Sequence, residues 1–165
     1  MQEENLFAKI IDILLKYTKS KGIEVFYLTL ISFVMFRMID LKYALLFSVL
    51  IGLSNLVPYF GPIIGGIPVC IYAVFQSIPM FLWTIVILIA LQIIDGFILM
   101  PYITKKTVKI NELTTIVLVF LGGSAFGIIG ILLAVPVYLV GKVIYKHYIK
   151  NDIQDIKTRY IALGF

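Results

Sequence analysis

The fold of this chain is decided by a stretch of 17 residues in its first half, Gly52-Leu53-Ser54-Asn55-Leu56-Val57-Pro58-Tyr59-Phe60-Gly61-Pro62-Ile63-Ile64-Gly65-Gly66-Ile67-Pro68. The stretch mixes apolar side chains with prolines and glycines, which interrupt helices. It lies between Tyr43 and Thr104, a region whose only charged residue is Asp95. Hydrocarbon offers no water to pair an exposed backbone group, so an interrupted helix at that depth must be shielded by protein or line a wet cavity. The stretch therefore predicts a broken helix inside a membrane, with a site beside the break.

The composition is that of an integral membrane protein. Of the 165 residues, 61% are apolar and 14% are charged, and the mean hydropathy is +1.05, a combination that ordinary soluble domains do not reach. The net charge of +5 comes from lysines and arginines in short segments that flank apolar runs, which is typical of contact with anionic lipid. We therefore expect the lipid bilayer, and no nucleic acid, as the partner of these charges.

Neither a metal nor a cofactor is expected from the sequence, and an enzyme is not expected. Cys70 is the single cysteine, so one chain can form neither a disulfide nor a thiolate metal cage. The sole histidine, His147, lies in a basic flank, and the short motifs of metalloproteases, serine hydrolases and P-loop proteins do not occur. The acidic start lacks the pattern of a signal peptide, so we expect insertion through internal spans.

The first two thirds of the chain predict four spanning segments behind a surface helix. Apolar residues recur at helical spacing from Leu6 to Tyr17, which predicts an amphipathic surface helix within residues 1–22. Proline removes a backbone donor and clashes with the preceding turn, so the region from Pro58 to Pro62 should be a non-helical elbow. The predicted spans are Ile23–Ile39, a second from Tyr43 into the elbow, a third from Ile63 to about Ala73, and Phe81–Met100, which Pro101 should end.

A second interrupted element is predicted between Leu113 and Gly141, 29 residues without a charge. A straight helix of that length would rise about 43 Å, against a hydrocarbon core of about 30 Å. Gly122, Gly123 and Gly127 supply a break, so we predict a broken or re-entrant helical hairpin, with Pro136 kinking its returning limb. Together these patterns predict an all-α, polytopic membrane protein with residues 23–141 in the membrane and residues 142–165 as a cytoplasmic or interfacial helix.

The basic residues predict a multi-pass topology with both termini in the cytoplasm, because lysines near spans are enriched on that side. Four spans before the basic loop, and a hairpin without net crossing after it, place all three basic clusters on one side. These clusters are Lys16, Lys19 and Lys21; Lys105, Lys106 and Lys109; and Lys142, Lys146 and Lys150.

The candidate substrate-binding or ion-binding residues are Asp95, Gln92, Asn55 and Tyr59. A carboxylate within a span costs about 2.5 to 3.5 kcal/mol, which makes Asp95 a site candidate by default, and Gln92 lies on the same helix face. Asp95 as an interfacial anchor is equally open, because Met100 ends the predicted span soon afterwards. Asn55 and Tyr59 could bind a solute beside the elbow, or Asn55 could satisfy carbonyls freed by the prolines.

A further set of residues is predicted to bend the backbone and permit close packing, and so to act in gating rather than in binding. This set consists of Pro58, Gly61, Pro62, Gly65, Pro68, Gly122, Gly123, Gly127 and Pro136.

Four blocks of the sequence, in order, resemble the autoinducer-2 exporter family of bacterial transporters. The resemblance covers roughly Gly22 to Lys146, and the chain looks like the C-terminal half of the usual, longer family member. Asn111-Glu112 departs from the family pattern, which often has His-Pro there. The four blocks are Asn55–Pro68; Gln92–Gly96 with Pro101; Lys105-Lys106-Thr107-Val108; and Gly122–Pro136.

The resemblance implies a homo-oligomeric protein of the bacterial plasma membrane, with residues 23–141 as a transport domain. It implies export of a small polar solute, such as the quorum-sensing signal autoinducer-2, or exchange of sodium for protons. Two alternatives stay open on the residues themselves, an ion or solute channel and a truncated, non-transporting membrane scaffold.

Overall fold

The computed structural model describes residues 2–57, 61–104 and 111–162, and these are helical or lie in short turns, with no strand among them. The prediction of an all-α fold is confirmed. The predicted boundaries at residues 22 and 141 fall inside helices. The elements are α1 (Gln2–Met38), α2 (Ala44–Ser54), α3 (Gly61–Gln76), α4 (Ile78–Ile94), a π-helical turn (Asp95–Leu99), α5 (Met100–Thr104) and α6 (Glu112–Ala162).

Two helical stretches of the described chain are long and apolar enough to cross a membrane, Ile78–Ile103 and Leu113–His147. The second is not straight, because the backbone turns sharply within it at Gly127. α2 and α3 are apolar but shorter. A membrane protein is thus supported by the helices, while the number of four spans stays a prediction.

The first helix is longer than the sequence pattern suggests. The predicted surface helix and the predicted first span form one continuous helix, α1, of 37 residues. Gly22 lies inside it, and a single glycine costs a helix only about 1 kcal/mol. Ion pairs one turn apart, Lys16 with Asp12 and Lys21 with Glu24, lie on either side of the expected junction.

The predicted break after α2 is present. α2 ends at Ser54, Asn55 and Leu56 lie in a turn, and α3 begins at Gly61. The sequence had predicted that Pro62 lies in the elbow, but it lies in the first turn of α3. Proline fits there because the backbone N–H that it lacks has no partner in the first turn of a helix. Pro58 and Tyr59 lie outside the described residues. Pro68 lies inside α3, which continues through it.

The core is formed where α1, α2, α3 and α4 converge. α1 packs against α2, α2 against α3, and α3 against α4. The close contact of α2 with α3 depends on Gly65, where an added Cβ would lie 2.9 Å from the Cα of Ile51. The central buried side chains of this core are Leu28, Phe36, Ile51, Val69, Ile87 and Leu91.

The last predicted span does not end at Pro101, which corrects the sequence prediction. A π-helical turn, Asp95–Leu99, connects α4 to α5, and α5 continues through Pro101 to Thr104. In a regular α-helix the ring of Pro101 would meet the carbonyl of Phe97, four residues earlier. The hydrogen bonds of a π turn reach one residue further, which relieves this clash. The wider turn also begins at the one charged residue of the span, Asp95.

α4 begins with a side-chain cap that can be tested. The hydroxyl of Ser77 accepts a hydrogen bond from the backbone N–H of Met80 at 3.2 Å. Ser77→Ala removes this acceptor, and we expect it to lower the stability of the purified protein by about 1 kcal/mol. Chemical unfolding in detergent measures the loss. Ser124→Ala is the control, because the hydroxyl of Ser124 only donates to the carbonyl of Phe120 within a helix; an equal loss there would contradict the capping role.

α6 folds back on itself at Gly127. This residue has φ 61° and ψ −140°, a conformation that side chains other than glycine rarely adopt. A Cβ added at Gly122 would lie 2.5 Å from the carbonyl oxygen of Gly130, whereas eight residues of straight helix would separate these backbones by about 12 Å. The predicted hairpin is therefore present, with its break at Gly127, while Gly122 and Gly123 stay helical.

The buried residues of α6 follow the same geometry. Thr115 and Val119 on the first limb, and Val135 and Leu139 on the second, are buried. Each residue of one limb has a counterpart at the same distance from Gly127 on the other, as expected when the limbs pack against each other. The first limb, residues 112–126, is about 22 Å long, shorter than the roughly 30 Å of a hydrocarbon core. A re-entrant position in the bilayer therefore stays the prediction for this hairpin.

Candidate functional site

Three polar side chains from separate elements meet beside the break between α2 and α3. The side-chain amide of Asn55 donates to Oε1 of Glu24 at 2.9 Å and to Oδ2 of Asp95 at 3.3 Å. Asn55 is 2% exposed and Glu24 is 3% exposed. Hydrogen bonds to charged partners are the stronger ones in proteins, and buried charges require them. One amide therefore joins two carboxylates from α1 and the π turn.

Lys21 completes the cluster from α1. Its ammonium group lies 2.8 Å from Oε1 of Glu24 and 3.4 Å from the backbone oxygen of Asn55. The Lys21 side chain is largely buried, so its charge is poorly screened by water. With both carboxylates ionised, the Lys21–Glu24–Asn55–Asp95 cluster holds two negative charges and one positive charge. It is therefore one positive charge short of neutrality.

The local folds explain why these side chains face each other. Glu24 lies one helical turn from the buried core residue Leu28, so both project from the same face of α1. Asn55 follows the last residue of α2, where its backbone N–H still bonds the carbonyls of Ile51 and Gly52. The end of the helix thus fixes the amide against α1.

Asp95 and Gln92 line a common cavity. The cavity also has Pro62 and four apolar core side chains in its wall and measures about 10 Å³, the size of a single water molecule. The second carboxylate oxygen of Asp95, Oδ1, is buried and accepts no hydrogen bond from the part of the chain that the structure describes. A buried carboxylate oxygen of this kind suits a donor or a small cation.

The sequence predicted three of these residues. Asp95 and Asn55 are hydrogen-bonded to each other, and Gln92 shares the cavity with Asp95 although its own side chain is exposed. Among the described residues, the amide of Asn55 donates to two carboxylates. Its alternative role, pairing with carbonyls freed by the prolines, stays a prediction. Tyr59 lies outside the described residues, and its role stays a prediction.

Glu24 and Lys21 were missed as site residues. The available signal was an acidic residue at the start of an apolar span, with a lysine three residues before it. Such a pair lies on one helix face and can enter a protein interior together. The sequence interpretation placed Lys21 in a cytoplasmic basic cluster and Glu24 at the start of the first predicted span, because nothing local indicates that Asn55 and Asp95 approach the same face of α1.

Tyr17 lies on α1 two turns before Glu24 and outside the predicted spans. Burial and, secondly, the negative charge of Glu24 raise the pKa of Tyr17 to about 12. The phenol therefore stays protonated and neutral at physiological pH. It adds no charge to the cluster, so the balance of two carboxylates and one ammonium is unaffected.

The predicted backbone-bending residues fall into two places. Gly61 and Gly65 lie where α3 approaches α2, and a Cβ at Gly61 would lie 2.6 Å from the Cα of Asn55. The lack of a side chain at these glycines allows α3 to pack closely against the end of α2 beside the site. Gly122, Gly123, Gly127 and Pro136 lie in α6, and α6 packs against α1. Among the side chains that the structure describes, in residues 6–57, 61–99, 101–103, 111 and 113–147, no three of His, Cys, Asp or Glu come together as a metal site.

Comparison with known proteins gives consistent matches. The family model described as AI-2E family transporter matches residues 2–150. Two proteins of Bacillus subtilis (strain 168) with provisional names as transport proteins are similar: YrrI is 31% identical over 81% of this chain and 38% of its own length, and YueF is 30% identical over 93% of this chain and 41% of its own. The chain thus spans about two fifths of these relatives. No solved structure matches it significantly.

Proposed function

Because the chain belongs to the AI-2E transporter family, we propose that it transports a solute across the bacterial plasma membrane through the Lys21–Glu24–Asn55–Asp95 cluster. The solute is a small polar molecule of the autoinducer-2 type that is exported, or sodium that is exchanged for protons. The working form is a homo-oligomer, as the family resemblance implies. Both termini lie in the cytoplasm, because lysines near spans are enriched on that side. Residues 23–141 are the transport domain of this proposal.

One observation carries the proposal, the joining of two carboxylates by a single buried amide at a helix break. Helix breaks in transporters are where backbone and side chains meet a solute or coupling ion. The Asn55 amide contacts Glu24 and Asp95 from different elements, so the three groups separate if α2 moves relative to α1. Their contact is therefore a natural point at which binding and motion are coupled.

The charge balance favours a cation as the coupling species. A buried cluster with one unmatched negative charge is costly in hydrocarbon. One proton or one monovalent cation bound at Asp95 would neutralise it, and the Asp95 oxygen Oδ1 is buried without a hydrogen-bond partner among the described residues. This supports gradient-driven transport over an uncoupled channel.

α6 has a route to the site through α1. α6 packs against α1, which carries both Glu24 and Lys21. Movement of α6 would thus be transmitted by α1 to Glu24, and from Glu24 through the Asn55 amide to Asp95. Gly127 and the α2–α3 break are the two bending points of this scheme.

Asp95→Asn tests the proposal. The substitution keeps the side chain's size and removes its charge, so we expect membrane insertion to persist and solute flux to fall about tenfold or more, given what a hydrogen bond to a charged group contributes. Flux in inverted membrane vesicles, for autoinducer-2 and for sodium-dependent proton movement, is the measurement. Dependence on an ion gradient, with saturation, indicates a carrier rather than a channel.

Asp12→Asn is the matched control. Asp12 lies on the exposed face of α1, and its ion pair with Lys16 is open to solvent, so its loss should leave flux unchanged. Undiminished flux in Asp95→Asn, or an equal loss in Asp12→Asn, contradicts the assignment of the site. Absence of flux of every tested solute in the parent protein contradicts transport itself.

A further inference from the structure

A large groove lies between α1 on one side and the π turn and α5 on the other. α1 contributes Lys16, Lys19, Ser20, Ile23 and Tyr27, which recur every three or four residues and so share one helix face. Leu99, Tyr102 and Ile103 form the other wall, and the groove has a volume of about 640 Å³. It is thus far larger than the cavity at Asp95 and has its own lining.

The groove changes character along its length. Its lysines, Lys16 and Lys19, lie at one end, and Ile23 and Tyr27 follow one and two turns further along α1. The two ends are separated by about 16 Å of helix. The second wall is apolar and aromatic. A ligand that fits this lining has an anionic group at one end and hydrocarbon at the other.

We propose that this groove binds one anionic phospholipid of the surrounding bilayer. Its phosphate lies against Lys16 and Lys19, and one acyl chain lies along Ile23, Tyr27 and the wall of α5. The charge is complementary, since lysines beside a span attract anionic headgroups. Lys16 is already paired with Asp12, but the two side chains are 59% and 60% exposed to solvent, so that pair competes weakly.

The bilayer itself argues for a lipid rather than a soluble ligand. An apolar groove open to hydrocarbon is filled by acyl chains, because no polar solute could occupy its apolar end without losing its hydration. The inference relies on the membrane placement of α1 but not on which solute is transported. Leu99, in its wall, ends the π turn that begins at Asp95, so the lipid borders the candidate site.

Native mass spectrometry of the purified protein, released from detergent micelles, tests the proposal. Phosphatidylglycerol and phosphatidylcholine with identical acyl chains are the probes. We expect one phosphatidylglycerol to be retained in preference to phosphatidylcholine. Lys16→Gln with Lys19→Gln should weaken its binding about thirtyfold, as expected for two lysines at a headgroup. Ile23→Trp, which fills the apolar part, should weaken binding of both lipids.

Lys9→Gln is the matched control, because Lys9 is an exposed lysine of the same helix that does not line the groove. Its phosphatidylglycerol binding should equal that of the parent protein. Three results would overturn the proposal: equal retention of the two lipids, an equal loss in Lys9→Gln, or displacement of the lipid by soluble glycerol 3-phosphate at similar concentration. Circular dichroism of each variant verifies that its helices are intact. Because no flux is measured, failure here is independent of failure of the transport proposal.

Discussion

Asn55→Leu is expected to lower the stability of the purified protein by about 3 kcal/mol and to abolish solute flux. The leucine branches at the same carbon but is larger and has no donor, so Glu24 and Asp95 lose the amide that joins them. A hydrogen bond to a charged group contributes about 1.5 to 3 kcal/mol, and an unpaired buried charge costs more. Unfolding in a mixed detergent series, followed by tryptophan fluorescence of Trp83, measures the stability.

A double-mutant cycle separates the hydrogen bonds of Asn55 from its packing. In a Glu24→Gln, Asp95→Asn background the partners are neutral, so Asn55→Leu should cost about half as much or less. The same penalty in both backgrounds would show that the shape of Asn55, and not its bonds to the carboxylates, holds the break in place. The cycle thus tests the geometry of the cluster without any assumption about the transported solute.

Gly130→Ala is expected to separate the limbs of the α6 hairpin. The new Cβ would lie 2.6 Å from the carbonyl carbon of Gly122 and would also overlap that carbonyl's oxygen. The clash is with backbone atoms, which cannot rotate away as a side chain does. We therefore expect a loss of stability near the upper end of the range typical of overpacking, about 1 to 3 kcal/mol. Gly141→Ala is the control, because nothing lies within 4 Å of its Cβ position.

Spin labels report the separation directly. Val117 and Val137 are exposed and lie ten residues on either side of Gly127, and labels there require Cys70, the only cysteine, to be replaced by alanine. In the folded-back parent the two labels should be close, whereas a straight helix would place their backbones about 30 Å apart. Gly130→Ala should lengthen and broaden the distance distribution. A long distance in the parent protein, or none of this change in the variant, would refute the hairpin.

Sequence alone predicted the features that depend on local chemistry. A proline or glycine in an apolar run tends to interrupt a helix in any surroundings, so the break before Gly61 and the fold-back in α6 could both be predicted from the sequence. Asp95 was conspicuous because a charge in hydrocarbon is costly. The sequence offered Gly122, Gly123 and Gly127 as positions for the fold-back. Only the backbone dihedral angles of the structure identify Gly127.

The rest of the site depends on tertiary contacts, which could not be predicted from residues adjacent in the sequence. Glu24 precedes Asn55 by 31 residues and Asn55 precedes Asp95 by 40, so their contact depends on how α1, α2 and α4 pack. The π turn at Asp95–Leu99 has no established residue pattern. Pro101, two residues after it, suggested instead that the helix ends there. The continuity of α1 was missed because an amphipathic segment and an apolar span look like separate helices.

That continuity has a mechanical consequence. α1 has 37 residues and is about 55 Å long, whereas hydrocarbon is about 30 Å thick. A membrane crossing by α1 is a prediction, and in that position the helix would extend well beyond the acyl chains. Because α1 is one continuous helix, we expect it to tilt as a rigid unit. A force applied at the end outside the acyl chains, by headgroups or by a docked protein, would then displace the carboxylate of Glu24.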